Sequence, residues 1–138
     1  MNIAYPYLAE LCEDNRYFVH FIDIEEAITQ GDTLEEAAFN ASEVLSAMLE
    51  CRLEDNEDIP EASICPEDGF LAYPEPKIQM AILMKKARGN RSIVELANAM
   101  NTTLSNVEKL ENPRNSASLN QLNKVAKALG KRLVLSLE

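Results

Sequence analysis

The stretch that most constrains this chain is residues 92–112, SIVELANAMNTTLSNVEKLEN, where two short amphipathic helical patterns are split by three polar residues. Ile93, Leu96, Ala97 and Met100 share one face of the first pattern, Val107 and Leu110 share one face of the second, and Asn101-Thr102-Thr103 lies between them. That is the spacing of a helix-turn-helix. Ala97 stands where a second helix would cross closely, so a longer side chain would push the pair apart. Asn101 falls in the turn, where φ is often positive, and Asn tolerates that conformation better than most residues. Thr103 is placed to cap the second helix, which leaves Leu104, Ser105, Asn106 and Lys109 pointing outward, the direction of a DNA major groove in such motifs. Asn106 would suit an adenine edge, Lys109 a guanine or a phosphate, and Leu104 a thymine methyl or a partner contact. Arg91, Ser92 and Arg114 sit where backbone contacts would lie.

The same pattern also fits an ordinary helical hairpin, and charge favours the DNA reading. Residues 1–76 hold 2 Lys/Arg against 19 Asp/Glu, a net −17, and residues 77–138 hold 11 against 4, a net +7. The whole-chain charge of −10 averages two opposite halves. A basic helical half suits phosphate contact, and the acidic half needs a different partner. The charge step near Pro74-Glu75-Pro76 predicts two domains, 1–76 and 77–138, each with a small core that oligomerisation would support. No apolar run approaches the roughly 20 residues that span a bilayer, and the first residues do not read as a secretion signal, so a cytoplasmic protein is expected. Cys12, Cys51 and Cys65 are odd in number and lack metal-ligand spacing; they read as reduced, mostly buried thiols.

Along the acidic half, residues 3–12 alternate loosely as a first strand, with Pro6 limiting its ladder on one edge. Residues 13–16 form a polar turn, and 17–22 read as a more central strand rich in aromatic and β-branched residues. His20, the one histidine, reads as a hydrogen-bonded strand residue because no nucleophile or second ligand accompanies it. A short strand over 27–31 ends at Gly31. Thr33 and Glu36 then make a capping box for a helix to about residue 53, whose stripe is Leu34, Ala37, Ala38, Ala41, Leu45, Met48, Leu49 and Arg52. Residues 54–68 are an acidic loop broken by Pro60 and Pro66, and 69–73 a last strand, giving β-β-β-α-β.

In the basic half, residues 77–88 predict a helix stopped by Gly89. Ser118 and Gln121 open another, with Leu119, Leu122, Val125, Ala126 and Leu129 inward and Gly130 as the stop. Lys85, Lys86, Arg88, Lys124 and Lys127 read equally as a solvated face. Residues 131–137 alternate as a short strand with Leu133, Leu135 and Leu137 on one side. A strand ending an all-helical module has no partner within it, so this segment is expected to pair two copies of the chain; return to its own N-terminal sheet is the alternative.

Residues 17–21, Asp23-Ile24, the block TQGDTLEEA at 29–37 and Asp58-Ile59-Pro60 resemble the HicB family of antitoxins over nearly the whole chain. The sequence departs from the family pattern at Glu25-Glu26, where Pro-Gly is frequent. The resemblance implies an α+β protein: a partial ribonuclease-H-like domain, here toxin-binding, followed by a lambda-repressor-like helix-turn-helix bundle. It also implies an antitoxin that blocks a HicA-type toxin, a small basic ribonuclease acting on mRNA, and that represses its own operon as a dimer or tetramer. Asp23, Glu25 and Glu26 are candidate toxin contacts, since a −17 domain would steer a basic partner. No catalytic residue, cofactor or metal ligand is assigned. A metal-dependent nuclease would need several converging carboxylates. Only Glu10 lies on the first strand and Asp23 follows the second. A repressor with a ligand-sensing N-terminal domain is the third reading, without a pocket motif to carry it.

Overall fold

The computed structural model describes residues 2–115 and 117–138, and the fold is α+β. Four strands, β1 (Tyr5–Leu11), β2 (Tyr17–Phe21), β3 (Ile28–Gly31) and β4 (Phe70–Ala72), form one antiparallel sheet in the order β3-β2-β1-β4. Helix α1 (Leu34–Glu54) connects β3 to β4. Four further helices follow: α2 (Pro76–Arg88), α3 (Ile93–Ala99), α4 (Leu104–Leu110) and α5 (Leu119–Ala128). The chain divides into compact units at residues 1–79 and 80–138, so the division falls inside α2 rather than ahead of it. Pro76 opens that helix, where its missing N–H is no loss.

In the first unit the β1–β2 hairpin closes through Asn15 at φ 63°, with Cys12 N–H donating to the Arg16 carbonyl at 2.8 Å. Register pairs Tyr7 with Phe21, Ala9 with Val19 and Tyr5 with Ala72. Strand alternation therefore gathers Tyr5, Tyr7, Val19, Phe21 and Ala72 on one buried face, where Tyr7 stacks on Phe70 at 5.5 Å. Ala37, Ala41, Leu45 and Leu49 supply the buried stripe of α1. The expected Leu34 and Ala38 are instead exposed, on the flank of the stripe that Ala37 and Ala41 bury.

Strand β1 is central, between β2 and β4, and its register with β2 stops at Tyr7–Phe21, beside Pro6. The Pro6 carbonyl accepts from Ile22 N–H at 3.3 Å, but proline has no N–H to return the bond, and β2 ends there at Phe21. The Glu25-Glu26 turn closes by Ala27 N–H to the Ile24 carbonyl at 3.0 Å with neither central residue at positive φ, so Pro-Gly is not required there. It keeps Ala27 out of β3. Gly31 has a steric reason. A Cβ there would stand 2.5 Å from the Ala37 backbone nitrogen and 2.8 Å from its Cα, so the first turn of α1 can settle on β3 only over glycine.

The second unit packs α2 to α5 around Met84, Leu96, Ala97, Val107, Leu110, Leu122, Val125 and Leu129. Leu119, expected inward, is exposed at the first helical position after its cap. Residues 131–138 pair with no strand of their own chain among the described residues. Leu133 packs on the helical core, whereas Val134, Leu135 and Leu137 are exposed. The cysteines are free thiols, and Cys12 and Cys51 are exposed rather than buried.

Candidate functional site

Helices α3 and α4 are joined through residues 100–103, and each end of the joint is fixed by its own sequence. Asn101 takes φ 54°; its N–H donates to the Asn98 carbonyl at 3.1 Å and Thr102 N–H to the Ala97 carbonyl at 2.9 Å, the bond pair of a Schellman ending. Thr103 then caps α4, its hydroxyl accepting from Asn106 N–H at 3.3 Å, and Ser92 caps α3 by accepting from Glu95 N–H at 3.0 Å. Ala97 is buried at the crossing, as its size required. At Ser118 and Gln121 both arms of a capping box form.

Val107 and Leu110 are buried and define the inward side of α4; Leu104, Ser105, Asn106, Glu108 and Lys109 are exposed. With successive side chains about 100° apart around an α-helix, Ser105, Glu108 and Lys109 lie opposite that core and Leu104 and Asn106 flank them. The Asn106 amide donates to the Thr102 hydroxyl at 2.9 Å, which turns it back toward the joint. Arg91, just before α3, and Arg114, after α4, are exposed, and Arg114 N–H donates to Asn112 Oδ1 at 2.9 Å. Glu108 escaped the sequence reading, which looked for residues that attract nucleic acid.

What holds α4 in place was also missed. Arg88, expected on a solvated face, donates from Nε and Nη2 to the two carboxylate oxygens of Glu111 at 2.7 and 3.0 Å. The side chains are only 16% and 12% exposed, and Arg88 Nη1 also reaches the Arg91 carbonyl at 2.8 Å. This forked pair ties the last turn of α2 to the C-cap residue of α4.

In the acidic unit, two of the three candidate toxin contacts are engaged internally. Asp23 accepts from the backbone N–H of Ser63 at 2.8 Å and from its hydroxyl, pinning the acidic loop to the end of β2. Tyr5 donates its hydroxyl to the Pro60 carbonyl at 2.7 Å in the same loop; burial, then the charges of Glu61 and Asp23, push its pKa up to about 12. Glu26 receives a fork from Arg52 at 2.6 and 2.9 Å, and this hydrogen bonding holds the Glu26 carboxyl below its ordinary pKa. Glu25 is exposed. His20 lies 3.4 Å from Glu10 and stacks on Phe18, an arrangement of strand neighbours. The sheet face opposite the buried one leaves Phe18, Ile28 and Leu71 exposed. Among the described residues no group of three or more His, Cys, Asp or Glu is placed to hold a metal ion, and no helix is long and apolar enough to cross a membrane.

Residues 5–74 match a protein family described as the HicB-like antitoxin of bacterial toxin-antitoxin systems. The chain is 38% identical to antitoxin HicB 1 of Photorhabdus laumondii, over 99% of this chain and 88% of that one. It is 31% identical to antitoxin HicB of Escherichia coli K12, over 96% and 98% of the two chains. The crystal structure of the N-terminal domain of Burkholderia pseudomallei antitoxin HicB overlaps 46% of this chain and 72% of its own at 24% identity, with a TM-score of 0.39, too loose an overlap to argue from. A family match across the sheet unit and relatives aligned nearly end to end agree, and the chain belongs to the HicB-like antitoxins of bacterial toxin–antitoxin systems.

Proposed function

We propose that the acidic unit binds and neutralises a HicA-type toxin, a small basic mRNA-cleaving ribonuclease, and that the basic unit binds operator DNA and represses the operon. The observation that carries the division is the charge step between the two parts of the chain, −17 before residue 77 and +7 after it. A basic toxin is steered to the acidic unit, whose sheet leaves Phe18, Ile28 and Leu71 exposed on the face opposite the buried one. The capped α3–turn–α4 pair supplies a helix-turn-helix whose outward side chains include Ser105 and Lys109. On this reading the protein acts in the cytoplasm by binding rather than catalysis. Expressed together, the full chain and the product of its neighbouring gene should co-purify, and the chain should relieve that product's toxicity. A neighbouring product that neither binds nor poisons growth would overturn the toxin assignment. Cleavage of RNA by the chain itself with Mg²⁺ or Mn²⁺, abolished by Asp23→Asn, would replace it with a nuclease.

The DNA-binding form is a dimer closed through the C-terminal segment, now with a different surface from the three leucines of the sequence pattern. Leu133 belongs to its own bundle, whereas Val134, Leu135 at 68% exposure and the fully exposed Leu137 are left for a second copy. Two-fold pairing there would set two α4 helices on half-sites about 34 Å or a multiple of it apart. The double variant Leu135→Asp/Leu137→Asp should be monomeric in sedimentation and should bind operator at least tenfold more weakly while still neutralising toxin. A variant that stays dimeric with full operator affinity would remove this segment from the interface.

A further inference from the structure

We propose that Glu108 is a base-reading residue whose carboxylate accepts a hydrogen bond from the exocyclic amine of a cytosine in the major groove. The inference rests on the DNA-binding reading above and names the chemistry of its recognition surface. Burial of Val107 and Leu110 fixes the rotation of α4, and that rotation puts Glu108 and Lys109 on the outward side, one on each side of Ser105. Asn106, the residue the sequence would choose for reading a base, is held by the Thr102 hydroxyl at the flank. Among the described residues Glu108 forms no ion pair, and the positions one helical turn away, Leu104 and Glu111, offer it no cation.

A carboxylate on a surface that meets phosphates is repelled by each of them, so Glu108 lowers affinity for DNA in general. It is compensated only where the groove floor presents a donor. Two bases do so there, cytosine through N4 and adenine through N6. Adenine sets its N7 acceptor beside that amine, which faces the second carboxylate oxygen with like polarity. Cytosine has a C–H, not an acceptor, on its own ring where adenine has N7. The carboxylate therefore selects a C·G pair, and the adjacent Lys109 is suited to donate to guanine O6 or N7. Repulsion elsewhere and attraction at one base together turn a basic module into a selective one.

The test takes the full chain as wild type, Glu108→Ala and Glu108→Gln through selection from randomised duplexes, followed by affinities for the selected duplex and its single-base variants. Wild type should select cytosine at one position per half-site, with about ten- to hundredfold discrimination against the other bases. Glu108→Ala should lose that preference and bind random DNA more tightly. Glu108→Gln should move the preference to adenine, whose N6 and N7 match an amide. If both variants select the wild-type sequence with undiminished discrimination, Glu108 is a solvated residue and the proposal is overturned, while the DNA-binding reading stands. If wild type retains no duplex at all, the DNA-binding reading falls and takes this proposal with it.

Discussion

The two units meet the same difficulty, a small core, in different ways. In residues 1–79 a single 21-residue helix lies with a four-stranded sheet, and backbone-to-backbone approach at Gly31 sets how the two elements meet. Its ion pairs, Arg16–Asp32 and Arg52–Glu26, lie at the exposed rim. In residues 80–138, α3 and α4 have seven residues each, well below the length of about 12–15 at which isolated helices become stable in water. Caps at Ser92, Thr103 and Ser118 and the enclosed Arg88–Glu111 fork supply what length cannot. The lesson is that charge is peripheral to the architecture of the strongly acidic unit and central to that of the basic one.

The largest expected effect tests that contrast directly. Arg88→Ala leaves the Glu111 carboxylate enclosed without its fork, a loss of about 3–5 kcal/mol for a buried pair broken on one side. Hydrogen exchange on the full chain should show amides of α3, α4 and α5 losing protection by roughly a hundredfold or more, with those of β1, β2 and α1 unchanged. Operator binding should fall and toxin neutralisation persist. The double variant Arg88→Met/Glu111→Leu should recover most of the protection, because it removes both charges and fills similar volume. Loss of less than a tenfold factor in Arg88→Ala would mean that the pair is no more central than the rim pairs of the acidic unit.

Gly31→Ala probes the other side of the comparison. The added methyl meets the Ala37 backbone, which cannot swing away as a long side chain could, so α1 must lift from β3. Overpacking of this kind costs about 1–3 kcal/mol. Protection should fall in β3 and the first turns of α1 and remain intact in α3 to α5, and toxin neutralisation should weaken while operator binding is kept. Unchanged protection at β3 would show that the helix start tolerates displacement.

The parts of this architecture that were legible in the sequence are those carried by neighbours along the chain. TQGDTLEEA announced a strand end, a cap and a helix start within nine residues, and Asn101 announced a left-handed turn because few other residues accept one. Thr103 and Ser118 were readable for the same local reason. Features that depend on distant partners were not. Arg88 and Glu111 are 23 positions apart, and nothing local distinguishes that arginine from a solvated one. Leu34, Ala38 and Leu119 lie at the margins of helical stripes, and periodicity contains no information about where a core stops. On the candidate site, the outward positions of α4 followed from Val107 and Leu110. The preference for Asn106 over Glu108 came instead from weighing residue types, and the Thr102–Asn106 bond reverses that weighting.

The smallest effect expected is a pH dependence in the acidic unit. Hydrogen bonding from Arg52 lowers the Glu26 pKa below its ordinary value, and burial opposes the shift only in part. A depressed carboxyl pKa contributes stability that is fully present above the unfolded value, about 4.3 for glutamate, and is lost as pH falls through the lower folded value. Arg52 remains protonated across that window, its own pKa raised by the same bond, and so adds no slope. The Glu26 side chain is 41% exposed, so solvent screening limits the pair to about 0.2–1 kcal/mol. Urea unfolding of wild type and Glu26→Gln should differ by that amount at pH 7 and converge below pH of about 4, as wild type protonates. A gap that persists undiminished into acid would assign the loss to packing of the Arg52 stem rather than to charge. A gap at pH 7 as large as that of Arg88→Ala would erase the distinction between a rim pair and an enclosed one.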